Sequence, residues 1–366
     1  MGGAERMIYK LATFIKKHED VVVINADPTI ANLYGSVVLQ RKFTERITAT
    51  ERKNNLNKIK IHVRDLLPYS KGWKVIHNYL LEARLIYIKY EILELFFLFY
   101  FGGLNIRKKT IASLHSPLLY DKPTKLFDRI HTLVYSSRFN QLMLKHMQKI
   151  HVLNIRDEAF LQEMYGLNNV VRVPNSLPFK KSDESKSHIH NRKKLFILFV
   201  GELSIRKGAD ILINLIKNSS DDYIFSVAGD GPLREELISE CKDKTNWKYY
   251  GYLNQSELKN VYSQNDILFA PSRAEGLSLV MLEALSHGLQ LVGYDTILSD
   301  FLDLAKVPSK HNIVKEYEII FENILIEKKK NEYSTTKQKI KKYFVENFSD
   351  IKVLPIIQKK IFALNI

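Results

Sequence analysis

Short runs of β-branched and aliphatic residues alternate along the whole chain with longer stretches whose apolar positions recur at helical spacing. This is the pattern of parallel sheets joined by crossover helices. In the first half, strands are predicted at Val21 to Ile24, Ile59 to Val63, Lys74 to His77, Thr110 to His115, Ile150 to Leu153 and Val170 to Val173. In the second half they are predicted at Leu195 to Val200, Tyr223 to Ala228, Trp247 to Tyr250, Ile267 to Ala270 and Gln290 to Gly293. Two doubly wound α/β domains follow. Pro178 to Lys194, PFKKSDESKSHIHNRKK, is polar, charged and aperiodic, and reads as a linker. The expected division is 1–177 for the first domain, 178–194 for the linker, 195–345 for the second domain, and 346–366 for a C-terminal helix packing back on the first.

Composition narrows the picture. With 366 residues and 45% hydrophobic content, the chain is long enough to bury two cores. The most apolar window, Ile86 to Leu104, carries Lys89, Glu91 and Glu94, charges that a bilayer span would have to bury, so it reads as a buried helix. The single cysteine, Cys241, allows no intramolecular disulfide and fits a reducing compartment. Arg6 stands where a myristoylation signal needs Ser or Thr, and no basic-then-apolar leader is present, so neither lipidation nor export is indicated. The expected location is cytoplasmic. Residues 1–180 hold 28 Lys and Arg against 15 Asp and Glu, so nearly all of the +15 formal charge sits in the first half. Such a surface attracts anionic lipid, nucleic acid or phosphorylated substrates, and charge alone does not choose among them. None of the usual nucleic-acid-binding motifs appears.

The strongest local signal follows the strand Ile267 to Ala270. Ser272 to Gly288 reads as a loop running into a helix, with Glu275 and Glu283 eight positions apart. Backbone N–H groups at the helix start, placed here at Gly276, Leu277 and Ser278, direct free donors and the positive end of the helix dipole at an anion beyond the strand. A diphosphate suits that place. A carboxylate a turn and a half into the helix, Glu283, can accept both hydroxyls of a ribose. Either glutamate alone reads equally well as a helix-start acid or a surface side chain. His188 and His190 have the spacing of strand-borne metal ligands but no third ligand nearby, and no metal is assigned.

Taken together, these segments resemble glycosyltransferase family 4, whose mark is two glutamates eight positions apart in a loop similar to EGLSLVMLEALSHGLQ, residues 275–290 here. Other landmarks follow in order. Gly2-Gly3-Ala4-Glu5-Arg6 resembles the family's N-terminal glycine loop, and Pro174-Asn175-Ser176 the segment closing its first domain. Phe199 to Gly208 resembles its phosphate loop, and Ala228 to Pro232 and Gly251-Tyr252-Leu253 its later turns.

The resemblance implies a GT-B fold, two Rossmann-like domains facing each other across a cleft, and a metal-independent, retaining transfer from a nucleotide diphosphate sugar. It implies that Lys207 neutralises the donor diphosphate and that Glu283 holds the ribose. Glu275 would hold the transferred sugar, while the amides of Gly276, Leu277 and Ser278 hold phosphate and sugar. His115 would face the anomeric centre, and Gly3, Gly201, Arg206 and Tyr252 would belong to the donor site.

Two departures shape the expectations. Glu202 stands where the family usually has arginine, with Arg206 beside Lys207 as the expected compensation. A helix starting near Ala4 has no strand before it, so the first sheet is expected to lack its first strand and to leave backbone groups unpaired there. The implied partners are a nucleotide-sugar donor, a UDP-sugar by the resemblance, a glycan or polyprenyl-diphosphate-linked glycan acceptor in capsule, O-antigen or exopolysaccharide synthesis, and an anionic membrane surface. No cofactor and no nucleic acid are expected. Two alternatives stay open, a catalytically impaired GT-B protein that binds the donor without transfer and an epimerase on the same fold.

Overall fold

The computed structural model describes residues 3–17, 20–26, 36–41, 57–61, 71–89, 92–115, 118, 126–179, 193–301, 304–308, 313–330 and 332–363. These divide into two compact units, one of residues 1–119, 130–173 and 355–366, the other of residues 120–129 and 174–354. Most of the expected linker, 180–192, including His188 and His190, lies outside the described residues.

The first unit is built in chain order from α1 (Gly3–Ile15), β1 (Asp20–Ala26), β2 (Ser36–Arg41), β3 (Asn57–Ile61), α2 (Lys71–Glu82), β4 (Leu85–Lys89), α3 (Ile92–Phe101), α4 (Gly103–Arg107), β5 (Thr110–Ser113), α5 (Leu126–Tyr135), α6 (Arg138–Lys145), β6 (Lys149–Val152), α7 (Ile155–Ala159) and β7 (Val170–Arg172). Its strands form one sheet in the order β3-β1-β2-β4-β5-β6-β7.

Three expectations change here. Lys74 to His77 lies inside α2 rather than in a strand, a distinction periodicity cannot make over so short an apolar run. The window Ile86 to Leu104 opens with a strand, β4, before turning helical as α3 and α4. β4 is buried between β2 and β5, the environment in which an uninterrupted apolar run forms a strand. The expected gap in the sheet is filled. β2 pairs antiparallel with β1 on one side and β4 on the other, so the ladder continues across that position.

The second unit follows the sequence closely. It contains β8 (Leu195–Val200), α8 (Ala209–Asn218), β9 (Tyr223–Ala228), α9 (Arg234–Glu240), β10 (Trp247–Gly251), α10 (Gln255–Ser263), β11 (Ile267–Ala270), α11 (Leu279–His287), β12 (Gln290–Gly293), α12 (Ile313–Lys329), α13 (Tyr333–Phe348) and α14 (Asp350–Lys360), the last ending in the first unit. All its strands are parallel, in the order β10-β9-β8-β11-β12. From β8 the chain winds outward through β9 and β10, then returns to β11 and winds the other way. The switch point therefore falls between the carboxyl ends of β8 and β11, where open α/β sheets bind ligands.

The core beneath that edge is aromatic. Phe269 of β11 meets Tyr317 and Phe321 of α12 edge-on at 4.8 and 5.7 Å, geometry that favours ring pairs. At the opposite end of β11, buried Asp266 accepts from the Phe196 amide at 2.9 Å and from the Lys328 ammonium. The charge is paired and hydrogen-bonded, as burial requires.

Candidate functional site

After β8 the chain makes a 3-10 turn, Ile205–Lys207, and enters α8 through Gly208 in the left-handed region at φ +77°. A β-carbon at Gly208 would lie 2.3 Å from the Pro271 carbonyl oxygen, so only glycine lets this turn rest against the loop after β11. Arg273 locks the two loops together. Its guanidinium donates to both Asp210 carboxylate oxygens at 2.7 Å, and its amide donates to the Arg206 carbonyl at 2.8 Å. Bidentate pairing of this kind fixes geometry as well as charge.

The tie brings Lys207 and Glu275 into an ion pair, their side chains only 18% and 15% exposed. They line one small open cleft with Ser272, Ser278, Val280 and the ends of β8 and β11. Ser278 caps α11 without a side-chain hydrogen bond to the helix. The helix proper starts at Leu279 with Ser278 as its cap, so its free amides begin at Ser278, the last of the expected Gly276 to Ser278. Asn175, buried, donates to the Leu277 carbonyl at 2.9 Å. That bond turns the Leu277 oxygen toward Asn175, so the Ser278 N–H on the same planar peptide points the other way.

Glu283 lies on α11 and accepts from the Tyr262 hydroxyl at 3.0 Å, while the Tyr262 ring stacks on His287 at 5.3 Å.

The remaining expected residues fall elsewhere. Arg206 pairs with Glu202 at 3.3 Å and its guanidinium also donates to the Ala274 carbonyl at 3.4 Å, and it is not part of the cleft lining. Gly201 follows β8, and its carbonyl lies where a β-carbon on Gly229 would come within 1.9 Å. Tyr252, at the end of the edge strand β10, is 86% exposed and is not part of the cleft lining. Gly276 and Leu277 belong to the loop before the α11 cap. Gly3 opens α1 and His115 follows β5, both in the first unit. His115 Nε2 sits 3.0 Å from Ser113 Oγ. Sequence reasoning missed Arg273, Tyr262 and the bond from Asn175, because each acts through a partner distant in the chain. For Asn175 the motif Pro174-Asn175-Ser176 was the only signal. Among the described residues no cluster of three or more His, Cys, Asp or Glu could hold a metal, and no helix is long and apolar enough to cross a membrane.

Residues 180–299 match the family model described as glycosyl transferases group 1. This segment is a glycosyl transferases group 1 domain. A protein in the cps region of Klebsiella pneumoniae, described as uncharacterized, is 35% identical over 114 residues, covering 31% of this chain and 30% of that protein. The amylovoran biosynthesis glycosyltransferase AmsD of Erwinia amylovora is 27% identical over 159 residues, covering 40% and 43%. A Campylobacter jejuni α-1,4-N-acetyl-D-galactosaminyltransferase, named for an undecaprenol diphosphate-linked glycan, is 28% identical over 187 residues, covering 50% and 48%. The matches thus span less than two thirds of these relatives' lengths.

Over the whole chain the likeness is to solved structures. Anabaena HepE in complex with UDP and glucose aligns at TM-score 0.69 and 14% identity, covering 99% of this chain and 96% of HepE. Sucrose-phosphate synthase of Thermosynechococcus elongatus aligns at TM-score 0.71 and 16% identity, covering 99% and 94%. At such identity they show the fold alone, and the fold is GT-B. The group 1 segment contains β8 to β12 and every cleft residue named above.

The histidines of the first unit carry a pH dependence. Burial, with weaker repulsion from His151 and Lys89, lowers His115 to about 3, and burial lowers His151 to about 4 against a bond to the Val173 carbonyl. Between these values and the ordinary 6.5 the unfolded chain binds protons that the folded chain refuses, so stability falls as pH falls. Urea unfolding at pH 7.5 and pH 5 should show a loss on the order of 2 kcal/mol from His151 alone. Equal stability at the two pH values contradicts the neutral buried state.

Proposed function

We propose that the protein is a retaining glycosyltransferase that moves a sugar from a nucleotide diphosphate donor, a UDP-sugar, to a lipid-linked or polysaccharide acceptor in cell-surface polysaccharide synthesis. The observation that carries this reading is the meeting of Lys207 and Glu275 at the switch-point cleft, beside the start of α11. A cation and a helix start at one place suit a diphosphate. The Klebsiella, Erwinia and Campylobacter relatives supply the polysaccharide and lipid-linked context.

In this reading the diphosphate displaces Glu275 from Lys207, and the freed carboxylate receives hydroxyls of the transferred sugar. Glu283, oriented by Tyr262, takes the ribose hydroxyls. Lys207 and the amides at the start of α11 stabilise the charge that grows on the departing phosphate, which leaves the reaction no need of a metal ion. The acceptor hydroxyl oxygen bonds to the anomeric carbon on the face from which the phosphate oxygen departs. That oxygen takes the hydroxyl proton, and configuration is retained. His115 attends the anomeric centre as a neutral ring.

The acceptor reading carries a membrane proposal, that the basic first half rests on the inner face of the cytoplasmic membrane. Besides the charge, α5 presents Leu126, Ile130 and Leu133 at one-face spacing, with the two leucines 73% and 72% exposed, and Arg129 and Arg138 are exposed nearby.

Calorimetry with UDP in the presence of EDTA should show binding by the wild-type chain and a loss of about ten-fold or more in Glu283→Ala, the range for a hydrogen bond to a charged group. No binding by wild type, or equal binding by the variant, contradicts the donor site. Co-sedimentation with phosphatidylglycerol vesicles at low salt should weaken with added salt and in the Leu126→Glu, Leu133→Glu double variant. A chain that stays in the supernatant contradicts the membrane proposal.

A further inference from the structure

Beside His115 lies a buried polar cluster that the reaction above does not use. Tyr87 of β4, Ser113 of β5 and His151 of β6 are essentially inaccessible, and Ser113 and His151 are direct partners in the β5–β6 register. Tyr87 Oη lies 2.7 Å from Ser113 Oγ and 2.9 Å from His151 Nδ1. Ser113 Oγ lies 2.9 Å from His151 Nδ1 and 3.0 Å from His115 Nε2. His151 Nε2 lies 2.8 Å from the Val173 carbonyl oxygen. Polar groups so deep in a sheet are tolerated only when satisfied, so the protons can be counted.

A carbonyl only accepts, so His151 carries its proton on Nε2 and presents a lone pair at Nδ1. Tyr87 and Ser113 bring one proton each to the triangle they form with that lone pair. If Tyr87 donates to Ser113 and Ser113 to Nδ1, or if Ser113 donates to Tyr87 and Tyr87 to Nδ1, one side of the triangle lacks a proton. If Ser113 gives its proton to His115 instead, two sides lack one, and acceptors face each other across them at under 3 Å. The better arrangement therefore needs His115 to donate to Ser113 from Nε2.

We infer that Ser113 and His151, with Tyr87 completing the triangle, are positioning residues that hold His115 as its Nε2–H tautomer, with a bare Nδ1 lone pair kept to accept a hydrogen bond from a sugar hydroxyl. Nδ1 is buried and has no hydrogen-bond partner among the described residues. A bare buried acceptor is the cheaper orphan, since unpaired buried N–H groups are the rarer case. The low proton affinity of the ring keeps the lone pair free at neutral pH. The hydroxyl as ligand rests on the reading of His115 given above; the tautomer does not.

The test is a long-range proton–nitrogen correlation spectrum of the full chain labelled with 15N-histidine, at pH 7, with His115 identified as the ring pattern absent from His115→Gln. The expected wild-type pattern is a protonated Nε2 and an unprotonated Nδ1. Tyr87→Phe keeps it, because Ser113 still donates to His151, whereas Ser113→Ala removes the acceptor and gives a mixture of tautomers. A protonated Nδ1 in wild type, or an unchanged pattern in Ser113→Ala, overturns the inference. Addition of UDP to the same sample separates it from the donor reading, because failure to bind UDP contradicts the donor site while the tautomer stands or falls on the ring pattern.

Discussion

The grip of Arg273 on Asp210 and on the Arg206 carbonyl is the contact on which the site depends, because it joins the two loops that leave the sheet at its switch point and so brings Lys207 to Glu275. Neither loop holds itself in place. The turn after β8 needs Gly208 to approach Pro271, and the loop after β11 needs Arg273 to grip Asp210 and the Arg206 carbonyl. With both ties made, a cation and an acid face each other across a cleft at the start of α11. A pair so little exposed keeps more of its attraction than a surface pair, yet it is open enough for an anion to enter.

In the proposed reading this pair is the place the diphosphate takes. Glu275 occupies the charge that a diphosphate would occupy, so Lys207 is never left as a buried, unpaired cation. Asn175 and Tyr262 act on the same site from behind, one turning the peptide before α11 and the other holding Glu283. In the first unit the triangle of Tyr87, Ser113 and His151 takes the corresponding place in the inferred tautomer of His115.

Much of this was legible in the sequence, and the limit of legibility has a physical cause. In the second unit every strand was found, four of five to the residue, because parallel strands buried on both faces are written as unbroken apolar runs between turns. The first unit was read less well. Ser36 to Arg41 passed unnoticed as a strand, and Lys74 to His77 looked like one, since a few apolar residues fit either period. Local motifs pointed to Lys207, Glu275 and Ser278, which the structure brings to one cleft, and to Glu283 on the helix that follows. The pairing of Lys207 with Glu275 joins residues 68 apart, and the bond from Asn175 spans 102, and nothing in either local pattern announces the partner. Tyr252 is placed apart from these: its turn fits the family pattern, and it follows the edge strand β10, outside the lining shared by Lys207 and Glu275.

The most direct measurement is the affinity for UDP, by calorimetry, of Lys207→Ala and Glu275→Gln beside wild type. If the diphosphate takes the place of Glu275 on Lys207, the lysine variant loses about ten-fold or more in affinity, whereas Glu275→Gln, with its competitor removed, binds UDP at least as tightly as wild type. A glutamine variant that loses as much as the alanine variant, or an alanine variant that binds like wild type, would contradict the exchange and with it the donor site.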